Sequence, residues 1–327
     1  MSLAHRCIIV LLLLLTGCAR PALSQSPPVT PTTPATPATD TLRLALPASA
    51  TAAEERASIE FIGTATVLIR FGGITILTDP NFLHKGEKVH LGYGLTSTRL
   101  TDPAIDFDKL PPVDLVLLSH MHEDHFDRLV QQKLARAVPI VTNARAASPL
   151  RELGFTQVTG LRTWQRIDLV KGGTTMSATS MPGRHGPAGV AALLPTVMGT
   201  MLDMRDGRGR SYRIYISGDT MVTDDIAEIP RRFPDIDLAV LHLGGTRLLG
   251  LVTVTMDAKQ GVRMLKLIAP RHAIPIHYDD YDVFKSPLSD FQRAVAEAGL
   301  SDKLSYLARG ESYDFILRST TSQQGDH

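Results

Sequence analysis

Three imidazoles and two carboxylates fall within six residues at His120-Met121-His122-Glu123-Asp124-His125, directly after the apolar run Asp114–Ser119. A run of that length and composition reads as a buried strand. The cluster therefore sits in a loop at a strand end, and the fold must be one in which strand ends converge on a site. Alternate residues of an extended segment point to the same side, so His120 and His122 can grip one ion together. Asp124 and His125 lie past the turn and can serve a second. Imidazole and carboxylate suit zinc and other first-row metals. A solvated histidine-rich loop is the alternative, but it needs no apolar strand before it.

The rest of the body is legible as one α/β domain. Ser58–Ile62, Thr66–Phe71 and Gly73–Thr78 are short β-branched runs split by glycines, which predicts a strand meander. Further strands are expected at Val138–Thr142, Thr174–Met181, Thr196–Asp203, Tyr212–Ser217, Leu238–Leu243, His272–His277, Leu304–Leu307 and Ser312–Leu317. Helices are expected at Ala144–Leu153, Asp224–Arg232, Asp257–Ile268 and Pro287–Ala298. Strands come first and then alternate with helices, twice over, which suggests two packed sheets with helices outside. Asn81–Leu110 lacks periodicity, and a loop of that length in a compact domain is often functional.

The N-terminus reads as an address. Arg6 precedes the unbroken apolar stretch Cys7–Leu15, which is too short to span a membrane and right for a signal core. It ends in Leu15-Thr16-Gly17-Cys18, which resembles the lipobox of bacterial lipoproteins. That resemblance implies a signal peptide at 1–17 and a mature chain beginning at lipidated Cys18. An ordinary cleaved signal with a chance cysteine is the alternative. No aspartate follows Cys18, so in a cell with two membranes the outer one is favoured, on its periplasmic side or at the cell surface. Residues 18–56 carry Pro21, Pro27, Pro28, Pro31, Pro34 and Pro37 among Ser, Thr and Ala, and read as an anchor and tether. The domain follows at 57–318, and 319–327 is expected to be a disordered tail.

Charge narrows the function. The 34 basic and 33 acidic residues nearly cancel, and loss of Arg6 with the signal brings the net charge to zero. Such a surface is a poor match to nucleic acid. Two cysteines, one of them in the signal, exclude a disulfide framework.

His-x-His-x-Asp-His after a strand resembles the metallo-β-lactamase fold superfamily. The likeness continues at His185 in Pro182-Gly183-Arg184-His185-Gly186, at Asp219 in Ser217-Gly218-Asp219-Thr220 and at His277 in Ile274-Pro275-Ile276-His277. It runs from about Ile59 to Phe315 and implies a four-layer αββα sandwich with a metal site at one sheet edge. It also implies that His120, His122 and His185 hold one divalent ion. Asp124, His125 and His277 would hold another, with Asp219 between them. Zinc is the default, and manganese or iron would fit the same ligands. A hydroxide bridging the two ions would be the nucleophile, oriented by Asp124 as the catalytic residue. Asp79, in Leu77-Thr78-Asp79-Pro80, matches a strand-end aspartate that buttresses a ligand histidine; a turn or cap role is equally open.

Within the superfamily, Phe61–Ile69, Leu77–Pro80 and Leu110–Asp114 look like the branch containing N-acylphosphatidylethanolamine-hydrolysing phospholipase D and the L-ascorbate-6-phosphate lactonases. Thr64 and Ala258 depart from that pattern outside the ligands. The absence of a cysteine at Asp219 disfavours antibiotic hydrolysis. The expectation is an envelope hydrolase acting on a phosphodiester, a phospholipid-like one included, with a lactone or carboxylic ester as the alternative and a non-catalytic binding lipoprotein as a third reading. Partners are then a small-molecule or lipid substrate, the membrane through Cys18, and no nucleic acid. The methionine-rich stretch Gly189–Met204 reads as a loop entering a buried strand, or as the wall of an acyl groove. Arg184 and Arg247 are candidate phosphate contacts. Asp279, Asp280 and Asp282 read as a solvated turn.

Overall fold

The computed structural model describes residues 42–46 and 57–319, except 93, 173, 207 and 249. The expected signal, Cys18 and most of the expected tether and tail lie outside the described residues.

Two mixed sheets carry the fold. In spatial order the first runs Leu42–Ala45, Arg166–Lys171, Thr174–Met181, Gly199–Arg205, Arg210–Ile216, Leu238–His242, His272–Ile276. The second runs Ser312–Asp314, Ser58–Gly63, Thr66–Phe71, Ile74–Thr78, Leu115–Leu118, Ile140–Asn143, Val158–Leu161. Each has a run of antiparallel neighbours that gives way to parallel ones, three parallel strands ending the first sheet and four the second.

Period-two side-chain direction explains the layering. Val67, Ile69, Ile76, Leu115 and Leu117 of the second sheet face Ile167, Leu202, Ile214, Val240 and Ile274 of the first in one shared core. Their neighbours Leu68, Leu77, Val116 and Leu118 turn the other way and pack on Val130 and Leu150 of the helices Arg128–Lys133 and Ala147–Glu152. On the far face of the first sheet, Met201, Ala239, Leu241 and Ala273 meet Val262, Leu265 and Ile268 of the helix Ala258–Ile268 and Phe291 of Leu288–Glu297. Burial on both faces is why these strands read as near-continuous apolar runs. The result is the expected αββα sandwich.

Several elements differ from the sequence expectation. Leu42–Ala45, assigned to the tether, pairs in parallel with Ile167–Val170 at the edge of the first sheet, placing Leu44 against the core. Arg318–Ser319 pairs with Arg210–Ser211, so the last strand reaches into the expected tail. Leu304–Leu307 makes only an isolated bridge at Leu304, to Ala273. The aperiodic segment 81–110 contains the hairpin Lys88–His90/Thr96–Thr98, too short to show alternation.

Parallel neighbours end at the same edge of a sheet. Ile74–Thr78 and Leu115–Leu118 are parallel neighbours, as are Arg210–Ile216, Leu238–His242 and His272–Ile276. Their C-terminal ends deliver Asp79, the 120–125 loop, Asp219, His242 and His277 side by side.

Candidate metal centre

The seven candidate ligands fall into two adjoining groups. His120, His122 and His185 form one, and Asp124, His125, Asp219 and His277 the other. In the first, His122 Nδ1 lies 3.0 Å from His120 Nε2 and 3.3 Å from His185 Nε2. In the second, His125 Nε2 lies 3.2 Å from both His277 Nε2 and Asp219 Oδ2. His277 Nε2 is 3.4 Å from Asp124 Oδ2. Atoms bound at about 2.0–2.1 Å to one tetrahedral ion stand roughly 3.4 Å apart, so both groups have the spacing of a coordination shell. Asp219 Oδ2 also lies 3.9 Å from His185 Nε2 and 4.0 Å from His120 Nε2, between the two groups. Among the described residues, Asp124 Oδ1 and Asp219 Oδ1 are buried without a hydrogen-bond donor. Buried carboxylate oxygens that lack donors call for a cation. The residues present fit divalent metal.

The distal ring nitrogens are fixed by the protein, which sets which nitrogen faces inward. His185 Nδ1 lies 2.8 Å from the Val254 carbonyl, and His120 Nδ1 lies 2.9 Å from Ser119 Oγ. His125 Nδ1 is 3.4 Å from Asp79 Oδ2, while Asp79 Oδ1 accepts from Ser119 N at 2.7 Å. Asp79 thus reaches both a candidate ligand and the start of the ligand loop. The sequence reading missed His242, the last residue of its strand, whose Nε2 is 3.5 Å from the same Asp79 oxygen. Its position at a strand end beside Gly244-Gly245 was the available signal. Glu123 turns away: its carboxylate accepts from His90 N and pairs with Arg128.

Electrostatics divide the imidazoles. Burial holds His120 well below its usual range and His122 at about 4, and also lowers His185. These rings are neutral near pH 7, the state that ligates. Burial likewise lowers His125 and His277, but the carboxylates Asp219 and Asp124 outweigh it and hold both above the usual range. In return, despite burial, His125 and His277 hold Asp124 down to about 2 and Asp219 far below the usual carboxylate range. Both carboxylates of the ligand set thus belong to the second group, each set against an imidazole.

The chain matches the model of the beta-lactamase superfamily domain over residues 75–278, more than half its length. The chain belongs to the beta-lactamase superfamily. Among superfamily relatives it is 28% identical to a UPF0173 metal-dependent hydrolase of Nanoarchaeum equitans, over 62% of this chain and 85% of that one. Its fold is similar to the crystal structure of a possible metal-dependent hydrolase from Veillonella parvula (TM-score 0.68, 21% identity, 80% of this chain and 100% of that one). It is also similar to an isothiocyanate hydrolase from Delia radicum gut bacteria (TM-score 0.67, 23% identity, 79% and 99%). Superfamily membership and the intact His/Asp cluster together make this protein a metal-dependent hydrolase.

A cavity of about 90 Å³ opens onto His122, Asp124, His185 and Asp219 of this superfamily domain. Its walls are mostly apolar: Leu91 and Leu95 from the first hairpin, Leu194, Leu248, Val254 and Val283. Arg247, on the short hairpin Arg247–Leu248/Val252–Thr253, is the one cation among the described lining residues. Arg184 is exposed and does not line the cavity. Of the stretch 189–204, Leu194 lines it; Met201, Leu202 and Met204 are core residues of a strand. The solvated turn expected at 279–282 is corrected at Asp280, which is wholly buried. Four separate groups draw it inside: it accepts from Thr64 N at 2.7 Å, from Thr101 Oγ1 and from Arg309, and faces Arg99.

Proposed function

We propose that the protein cleaves small phosphodiesters at the cell envelope, with two divalent ions, zinc by default, held by the two ligand groups. The observation that carries this reading is Asp219, placed between two groups that each have the spacing of a coordination shell. Two such ions lower the pKa of water to about 7 and polarise the oxygens of a scissile ester. The protein's own residues do the rest. Asp124 stays ionised and lines the cavity, and its Oδ1, buried and free of donors, is left to accept a hydrogen bond from the attacking water and aim it. The leucine and valine walls exclude bulk water. Arg247 orients an anionic substrate by its phosphoryl oxygens.

Arg247 favours a phosphodiester over a neutral lactone or carboxylic ester, which has no use for that cation. The volume favours a compact diester over a diacyl lipid, being well below the ~300–1,000 Å³ of typical sites for larger ligands. Lipidation at Cys18 would hold the enzyme on the membrane, and the Leu15-Thr16-Gly17-Cys18 pattern supports it.

The test compares hydrolysis of bis(p-nitrophenyl) phosphate with a panel of lactones and p-nitrophenyl esters. The diester should be the better substrate. Arg247→Ala should raise its KM about tenfold, the scale of one solvent-exposed charged hydrogen bond, and leave KM for neutral esters unchanged. Preference for lactones, with no effect of Arg247→Ala, contradicts the phosphodiester reading.

A further inference from the structure

His242 lies outside both ligand groups but forms a third buried cluster with Asp79 and His125, which shares His125 with the second group. It ends a strand of the first sheet, and its Nε2 lies 3.5 Å from Asp79 Oδ2, which follows a strand of the second. His125 approaches the same oxygen from the other side at 3.4 Å. The two rings are nearly parallel, 13° apart in plane with centroids 6.0 Å apart, and they bracket the carboxylate. On its other side, His242 Nδ1 lies 3.2 Å from Ser217 Oγ, and His242 N donates to the same oxygen at 2.9 Å. Ser217 is two residues before Asp219. One buried chain, His125–Asp79–His242–Ser217, therefore runs from one candidate ligand to the strand end that carries another.

We propose that His242 is a positioning residue for the second metal position, holding Asp79 against His125 and Ser217 under Asp219. The inference rests on the reading of that position as a metal site. An N–H at Nε2 faces the Asp79 carboxylate at ion-pair distance, and Nδ1 faces Ser217 Oγ, whose hydroxyl also reaches the Gly218 carbonyl at 2.9 Å. Asp79 Oδ2 faces both rings, and an N–H at His125 Nδ1 toward it leaves His125 Nε2 bare for the ion. Without His242, Asp79 can swing and His125 loses its fixed orientation.

The experiment titrates zinc into chelator-stripped full-length protein, wild type and His242 variants, and follows stoichiometry, the affinity of each ion and thermal unfolding of the metal-free form. His242→Phe keeps the ring volume and removes both nitrogens. Affinity at the second position should fall about 10–100-fold, the usual effect of a partner behind a ligand, with the first position unchanged. His242→Gln, whose amide N–H can reach Asp79 at the Nε2 position, should restore most of it. A metal-free unfolding temperature lowered in His242→Phe, with both zinc affinities as in wild type, makes the residue merely structural and overturns the proposal. Equal loss in His242→Gln and His242→Phe also overturns it. Wild-type protein that binds no zinc overturns the metal-site reading itself.

Discussion

Asp219→Ala should bring the metal content of the purified protein from about two ions per chain to one or fewer and abolish most hydrolysis. Asp219 Oδ2 stands 3.2 Å from His125 Nε2 and within 4.0 Å of His120 and His185, so its loss touches both groups. It also removes the largest carboxylate contribution that opposes burial at His125 and His277. Without that charge, the second ion would bind among imidazoles with only Asp124 to offset it. Losing several kcal/mol of transition-state stabilisation lowers kcat by about a thousandfold or more, since each tenfold is ~1.4 kcal/mol. Elemental analysis and kcat on the same preparation check this. Full metal content with near-native kcat would remove Asp219 from its assigned place.

Asp280→Ala should be the most destabilising single change at the periphery of the site. Arg99 and Asp280 are both wholly buried, 3.6 Å apart, in a network that includes Asn81, Thr101, Tyr281 and Arg309. Removing the acid leaves a buried guanidinium without its countercharge, which typically costs about 3–5 kcal/mol. The change also acts on the ligands. Asp280 holds Thr64 N, Thr64 O accepts from His277 N at 2.8 Å, and both Thr64 and His277 have positive φ (51° and 63°). Such backbone persists only where its surroundings enforce it. On the opposite side, Asn81 bonds Arg99 and donates to the Glu123 carbonyl at 3.1 Å, next to Asp124. Denaturant unfolding of the metal-free protein measures the effect; a loss below about 1 kcal/mol would mean that the network contributes little.

Much of this was legible in the sequence, for identifiable reasons. Leu115–Leu118 and His272–Ile276 are buried on both faces, so their apolar runs are continuous and their ends stand out by the polar residues that follow. The residues at 120–125 and 277 follow such ends directly, and Asp219 and His185 follow the ends of the more polar strands Arg210–Ile216 and Thr174–Met181. What escaped were elements whose signal is shared between distant segments. Leu42–Ala45 is a strand through its pairing with Ile167–Val170, and nothing in its own four residues requires that. Arg166–Lys171 was passed over although it alternates, with Ile167 and Leu169 in the core. Asp280 looked solvated beside Asp279 and Asp282, because the partners that bury it come from residues 64, 99, 101 and 309. His242 was hidden by its position inside an apolar run, where one imidazole reads as a core residue.

The central claim is that this chain builds two adjacent metal positions sharing Asp219. Anomalous diffraction from crystals of the zinc-reconstituted protein tests it most directly. The account predicts two peaks, one among His120, His122 and His185, the other among Asp124, His125 and His277, with the Asp219 carboxylate between them. A well-ordered site with one peak, or none, after reconstitution with zinc, manganese or iron would contradict it.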